Sequence, residues 1–133
     1  MPALSPADRR LKAHLDAAHD HHNRPAFVAV DPISLPHRFT ARADREIVGF
    51  WVAMLAWGQR PVILQKGGEL IDRMGGTPHD FVLNHTVRDR NRFLDFRHRT
   101  FNAVDARHFL VALQAHYRQQ DSLEAAFADH LPA

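Results

Sequence analysis

A chain of 133 residues that is 45% hydrophobic and 24% charged is long enough to bury a real core and too apolar to be disordered. The formal charge is only +2, yet fifteen of the seventeen basic residues are Arg and eleven His add latent charge, which permits an anionic partner without requiring one. Absence of cysteine excludes disulfides and thiolate metal sites. No apolar run is long enough to cross a bilayer, and residues 1–6 lack the basic and apolar regions of a signal peptide, so the cytoplasm is the expected location.

In chain order, Ser5-Pro6 has the cap-then-proline signature of a helix start, and Leu11, Leu15 and Ala18 follow at helical spacing until Asn23-Arg24-Pro25. A short apolar piece over residues 26–30 leads into the Pro-bracketed loop Asp31-Pro32-Ile33-Ser34-Leu35-Pro36-His37-Arg38-Phe39. Thr40 is the expected cap of a second helix, with Asp44 and Glu46 near the positive end of its dipole. Ile47, Phe50, Trp51, Met54 and Leu55 form its apolar stripe. Gly58 breaks this helix and Pro61 restarts a third, whose buried face is Ile63, Gly67, Leu70, Ile71 and Met74. Gly67-Gly68 implies close approach of another backbone, and Gly75-Gly76 ends the helix.

Thr77-Pro78 starts a short helix that runs to Asn84, and Thr86 with Asp89 starts another brief one. Asn102 with Asp105 opens a long helix burying Ala106, Phe109, Leu110, Leu113 and Tyr117. Asp121-Ser122-Leu123-Glu124 resembles a capping box led by Asp121, before a terminal helix. No alternating strand pattern occurs. The expected fold is all-α: one irregular domain over residues 1–133 with about six or seven short helices.

Two segments place His and Arg beside aromatics just before a helix: Pro36-His37-Arg38-Phe39, and Phe96-Arg97-His98-Arg99-Thr100-Phe101-Asn102. Free N–H groups at helix starts bind anions, and Arg strengthens that; the same side chains serve equally well as clamps on loop carbonyls. In Trp57-Gly58-Gln59-Arg60, Trp57 can stack a base, Gln59 offers a donor and an acceptor, and Arg60 can meet a phosphate. The competing structural reading puts Trp57 in the core and makes Gln59 a helix cap. Arg88, Arg90, Arg92, Arg97 and Arg99, diluted by Asp89 and Asp95 and interleaved with Phe93 and Phe96, form a basic strip that can follow a phosphate backbone, although a solvated face is the simpler reading of residues 88–92. His19-Asp20-His21-His22 does not match zinc-ligand spacing, so no metal is expected. No cofactor fingerprint or catalytic triad is recognisable.

Several ordered motifs resemble an uncharacterised bacterial family, DUF2400. They are His22-Asn23-Arg24-Pro25, the 31–39 loop, residues 49–60, Pro78-His79-Asp80-Phe81-Val82 and His98-Arg99-Thr100-Phe101-Asn102. Members are usually about twice this length, which implies that the chain corresponds to the N-terminal half or a shortened member. The family is in turn distantly similar to helix-hairpin-helix DNA glycosylases such as endonuclease III. In those enzymes an apolar helix ends in a Gln-containing turn facing the DNA, and another helix follows. By this resemblance Gln59 faces an everted base or the gap it leaves. The glycosylase hairpin and a recognisable catalytic Lys or Asp are missing; the only lysines are Lys12 and Lys66.

The leading expectation is therefore a nucleic-acid-associated domain without its catalytic hairpin. Its binding residues would be His37, Arg38, Trp57, Gln59, Arg60, Arg97, His98, Arg99 and Asn102. Its partners would be DNA and either a second copy or a C-terminal half that completes the site. One alternative is an enzyme for a small phosphorylated ligand or nucleotide, using His37, His98 and the arginines. Another is a non-catalytic helical interaction module.

Overall fold

The computed structural model describes residues 5–128; residues 1–4, read above for a signal peptide, and residues 129–133 lie outside that range. Among the described residues there are seven α-helices and three short 3-10 turns, with one isolated bridge between His98 and Phe101. No helix among them is long and apolar enough to cross a membrane. The all-α expectation holds. Contacts divide the chain into two compact units, one ending at Asp31 and the other beginning at Pro32.

The first unit contains α1 (Pro6–His22) and α2 (Pro25–Val28). Ser5 and Asp8 form a reciprocal capping box at the start of α1, which satisfies two N–H groups that the helix leaves open. Within the apolar 26–30 piece, Pro25 opens a single helical turn that runs to Val28. Both ring nitrogens of His19 are engaged, Nδ1 with Asp20 at 3.2 Å and Nε2 with the Asn23 amide at 2.9 Å.

The second unit opens with 3-10 turns at Pro32–Ser34 and Pro36–Arg38, followed by α3 (Arg42–Leu55) and α4 (Arg60–Arg73). Next come α5 (Pro78–Asn84), a 3-10 turn at Asp89–Phe93, α6 (Ala103–Tyr117) and α7 (Glu124–Ala128). Trp51 and Leu55 of α3 meet Leu70, Val82, Phe93, Phe96 and Leu110 in the main core. A second cluster joins Leu35, Val48, Val52 and Ile71. Helix α3 is therefore packed on two sides, which rotates its buried stripe from the expected one. Val48 and Val52 are buried, while Met54 is 46% exposed.

Local signals predict some helix ends and miss others. At the end of α4, the Gly76 N–H reaches Ile71 O (3.0 Å) and the Gly75 N–H reaches Asp72 O (2.9 Å). Both glycines hold φ above +70°, the left-handed backbone that this paired closure requires. Asn102 and Asp105 cap α6 as expected. Thr40 does not cap α3; Ala41 occupies that position without a side-chain bond. Thr77 makes no side-chain cap either. Instead Asp44, from the first turn of α3, accepts from the His79 N–H at 2.8 Å and caps α5 across the fold. The far end of α5 is closed by Gln114, whose amide donates to Leu83 O and His85 O. Before α7 the cap is Ser122, not Asp121, because Ser122 Oγ accepts from the Glu124 N–H at 3.0 Å.

Candidate functional site

Helix α3 ends at Leu55, and the chain then turns through Ala56, Trp57, Gly58 and Gln59 into α4. Gly58 adopts φ +121°, a conformation that a side chain would strain. A Cβ there would also meet Arg99 Nη1 at 2.9 Å. Trp57 is 41% exposed, so the reading that places it in the core fails; it lies two residues past the end of α3. Gln59 holds the N-cap position of α4 but makes no side-chain cap bond among the described residues, so its amide is not spent on the cap. Arg60 is exposed and opens α4.

The second segment comes to this turn. His98 and Phe101 exchange backbone hydrogen bonds of 2.8 and 2.9 Å, closing a tight turn whose central residues are Arg99 and Thr100. Arg99 takes φ +55°, the one described non-glycine residue with positive φ. Glycine is the residue that such a turn favours, and a side chain there costs roughly 1–2 kcal/mol. The Arg99 guanidinium lies over the Trp57 ring, 4.7 Å from its centroid. His98 is only 3% exposed; its Nε2 meets Trp57 O at 3.3 Å and its ring stands edge-on to the indole at 6.1 Å. His98 is thus a brace behind the Trp57–Arg99 pair rather than a side chain open to a ligand.

The other predicted residues are placed as follows. Arg97 is exposed and lines a cavity of about 350 Å³ with Asp95, Phe96, Thr100 and Asn102. The Asn102 side chain is committed to the Val104 N–H of α6 at 2.8 Å. His37 and Arg38 are exposed on a 3-10 turn that sits elsewhere along α3. Pro36 lies 3.8 Å from where a Gly49 Cβ would be, and Arg45 Nε donates to Phe39 O at 2.6 Å. Gly49 is about two helical turns from the end of α3. Trp57, Gly58 and Arg99 therefore converge, while the His37–Arg38 turn packs on an earlier part of the helix.

Charge is distributed unevenly in the segment that carries Arg99. Residues 86–107 carry six arginines against three aspartates, and each aspartate is engaged by a neighbouring residue. Asp89 accepts from Thr86 through both its N–H and its hydroxyl; these bonds hold its carboxyl below the usual range. Asp95 pairs with Arg73 at 2.6 Å, and Asp105 accepts from the Asn102 N–H at 2.9 Å. Arg73, which also bonds Glu69 and Arg92 O, ties this loop to α4. Arg88, Arg90, Arg97 and Arg107 have no acidic partner within 4 Å among the described residues. Sequence reasoning missed Arg107, whose position matters only because α6 packs beside the Asp89–Phe93 turn. Of the two lysines, Lys66 is paired with Glu69 at 2.7 Å.

A family model described as a protein of unknown function, DUF2400, matches residues 31–132. The chain belongs to this family. The DUF2400 match takes in the 31–39 loop, the Trp57–Arg60 turn and the 98–102 turn, while the His22-Asn23-Arg24-Pro25 motif lies before it. No curated protein and no solved structure matches the chain.

Proposed function

We propose that this DUF2400 member is a nucleic-acid-binding domain of helix-hairpin-helix glycosylase ancestry. In this reading an unstacked base meets Trp57, Arg99 and Gln59, and Arg88 and Arg97 follow the phosphates. The observation that carries it is Arg99. A left-handed backbone is given to an arginine where glycine is cheaper, and the side chain so placed lies on an exposed tryptophan. Strained residues of this kind collect at ligand-contacting sites. A tryptophan face backed by arginine is a sequence-tolerant stacking platform. The layout of α3, the Gly58-Gln59 turn and α4 supports the ancestry, and a Gln59 amide not spent on the cap supports its base-facing role.

Single-stranded and mismatched duplex DNA are the first ligands to try, with binding read by anisotropy across a salt series. Affinity is expected to fall with salt, and Arg97→Gln is expected to lower the slope of log K against log[salt] by about 0.7–1, the equivalent of one phosphate contact. Salt-independent binding, or none, would refute the proposal. Of the two tryptophans, Trp51 is 1% exposed, so quenching on binding reports Trp57.

Arg99→Gly separates a binding role from a structural one. Relief of backbone strain and loss of the cation–π contact nearly cancel, each being on the order of 1 kcal/mol. The melting temperature is expected to stay within a few degrees of the parent's, while DNA affinity falls about tenfold. A variant that binds as tightly as the parent would return Arg99 to loop architecture.

A further inference from the structure

Beside the Asp89–Phe93 turn, α6 and Arg90 enclose a cavity of about 260 Å³ lined by Arg90, Val104, Arg107, His108 and Val111. Two arginines and a histidine are among its lining residues, and no acidic residue is. The nearest acids in sequence, Asp89 and Asp105, accept hydrogen bonds from Thr86 and Asn102 respectively. Arg90 Nε–H is buried and has no acceptor among the described residues. A buried charged donor without an acceptor is costly, and such groups normally have one. Neither Arg90 nor Arg107 has an ion-pair partner among the described residues.

We propose that this cavity is a binding site for a phosphate monoester dianion. Two fixed positive charges match the double charge of a monoester better than the single charge of a backbone diester. Planar guanidinium forks suit its oxygens, each taking a bidentate pair of hydrogen bonds. His108 adds a third donor from the wall, and Val104 and Val111 offer those donors no competing side-chain acceptor. A nucleic-acid end and a phosphorylated small molecule present the same group. The proposal stands on the cavity and its unpaired arginines, and it does not require the Trp57–Arg99 platform to bind a base.

The test uses the 133-residue chain with inorganic phosphate as probe, titrated at constant ionic strength against chloride. Backbone and His108 side-chain NMR shifts and the melting temperature are followed. Saturable shifts at residues 90 and 104–111 are expected, with a rise in melting temperature that tracks occupancy. Arg90→Gln and Arg107→Gln are each expected to weaken the response at least tenfold while melting as the parent does, because neither side chain gives up a partner in the fold. A response equal to that of chloride, or one undiminished in the double variant, would overturn the site.

A second arm compares oligonucleotides bearing a 5′-phosphate, a 3′-phosphate or neither. Tighter binding of a phosphorylated strand, lost in Arg107→Gln, assigns the phosphate to a nucleic-acid end. Equal binding of all three with a retained inorganic-phosphate response assigns it to a small molecule. Arg99→Gly is expected to weaken oligonucleotide binding about tenfold and keep the inorganic-phosphate response, so either proposal can fail without the other.

Discussion

Glu46→Ala is expected to destabilise the protein by about 3 kcal/mol, the scale for leaving two buried hydrogen-bond donors unsatisfied. The Glu46 side chain is 19% exposed and receives four donors. These are Tyr117 Oη at 3.0 Å, Ser122 Oγ at 2.7 Å, the Leu123 N–H at 2.8 Å and Arg42 Nε at 2.8 Å. One carboxylate thus ties α3 to the end of α6 and to the segment that starts α7. Truncation strands the Tyr117 hydroxyl and the Leu123 N–H in a site that water reaches poorly. A fall in melting temperature of roughly 10–20 °C should follow for a domain of this size. Melting within a few degrees of the parent would show that the network contributes little.

The same carboxylate makes stability acid-sensitive. Partial burial pushes its pKa upward, but bonds from Ser122, Leu123, Arg42 and Tyr117 outweigh that and leave it below the ordinary value. Its contribution is therefore fully present above the pKa of an unfolded glutamate, about 4.3. It is lost as pH falls through the lower folded value. Glu46→Gln, which keeps the shape and one acceptor oxygen, should cost less at neutral pH and flatten the stability profile between about pH 5 and 3. Tyr117 responds in the opposite sense, since its own burial and the bond to Glu46 hold the phenol protonated well beyond its usual range.

Gly67→Val is the second large effect expected, a loss of about 3 kcal/mol at the upper end of the range for overpacking a core. A Cβ at Gly67 would lie 2.3 Å from Leu35 Cδ1 and 3.2 Å from Val52 Cγ2. Leu35 is wholly buried, so its methyl has nowhere to retreat without shifting the two 3-10 turns that flank it. Gly68→Ala next door meets nothing within 4 Å and should stabilise by roughly 0.5–1 kcal/mol through helix propensity. Opposite signs at adjacent glycines, read by denaturant unfolding, test the packing directly. Two changes of the same sign would contradict it. The close approach inferred from Gly67-Gly68 is real, but it is made by side chains, and only Gly67 needs it.

That contact also explains the 31–39 loop, the richest-looking stretch of the sequence. Its prolines set two 3-10 turns, and Leu35 between them plugs the gap over Gly67. The His37–Arg38 pair is carried on the outside of this plug, away from the Trp57 turn. Among the predicted site residues, the structure gathers Trp57, His98 and Arg99 and gives each a different task. Trp57 is exposed, Arg99 lies over its ring and His98 holds its carbonyl. Periodicity could not separate them, because a buried histidine and an exposed one occupy the same pattern of letters.

The sequence by itself determined the helical class and most helix boundaries. The bonds that set those boundaries span only a few residues: Ser5 with Asp8, Thr86 with Asp89, Asn102 with Asp105, and the Gly75-Gly76 closure onto Asp72 and Ile71. Such partners are adjacent in the text of the chain, and their geometry follows from helix pitch alone. Tertiary structure decided where the remaining polar groups go. Asp44 and Glu46 read as dipole carboxylates, yet one caps α5, 35 residues away, and the other bonds Tyr117, Ser122 and Leu123, more than 70 residues away. Arg90 and Arg107 line a common cavity only because α6 lies against the Asp89–Phe93 turn. Local spacing specifies hydrogen bonds within a helical turn, whereas pairings across the chain depend on how the apolar faces pack, and that packing sets the candidate site.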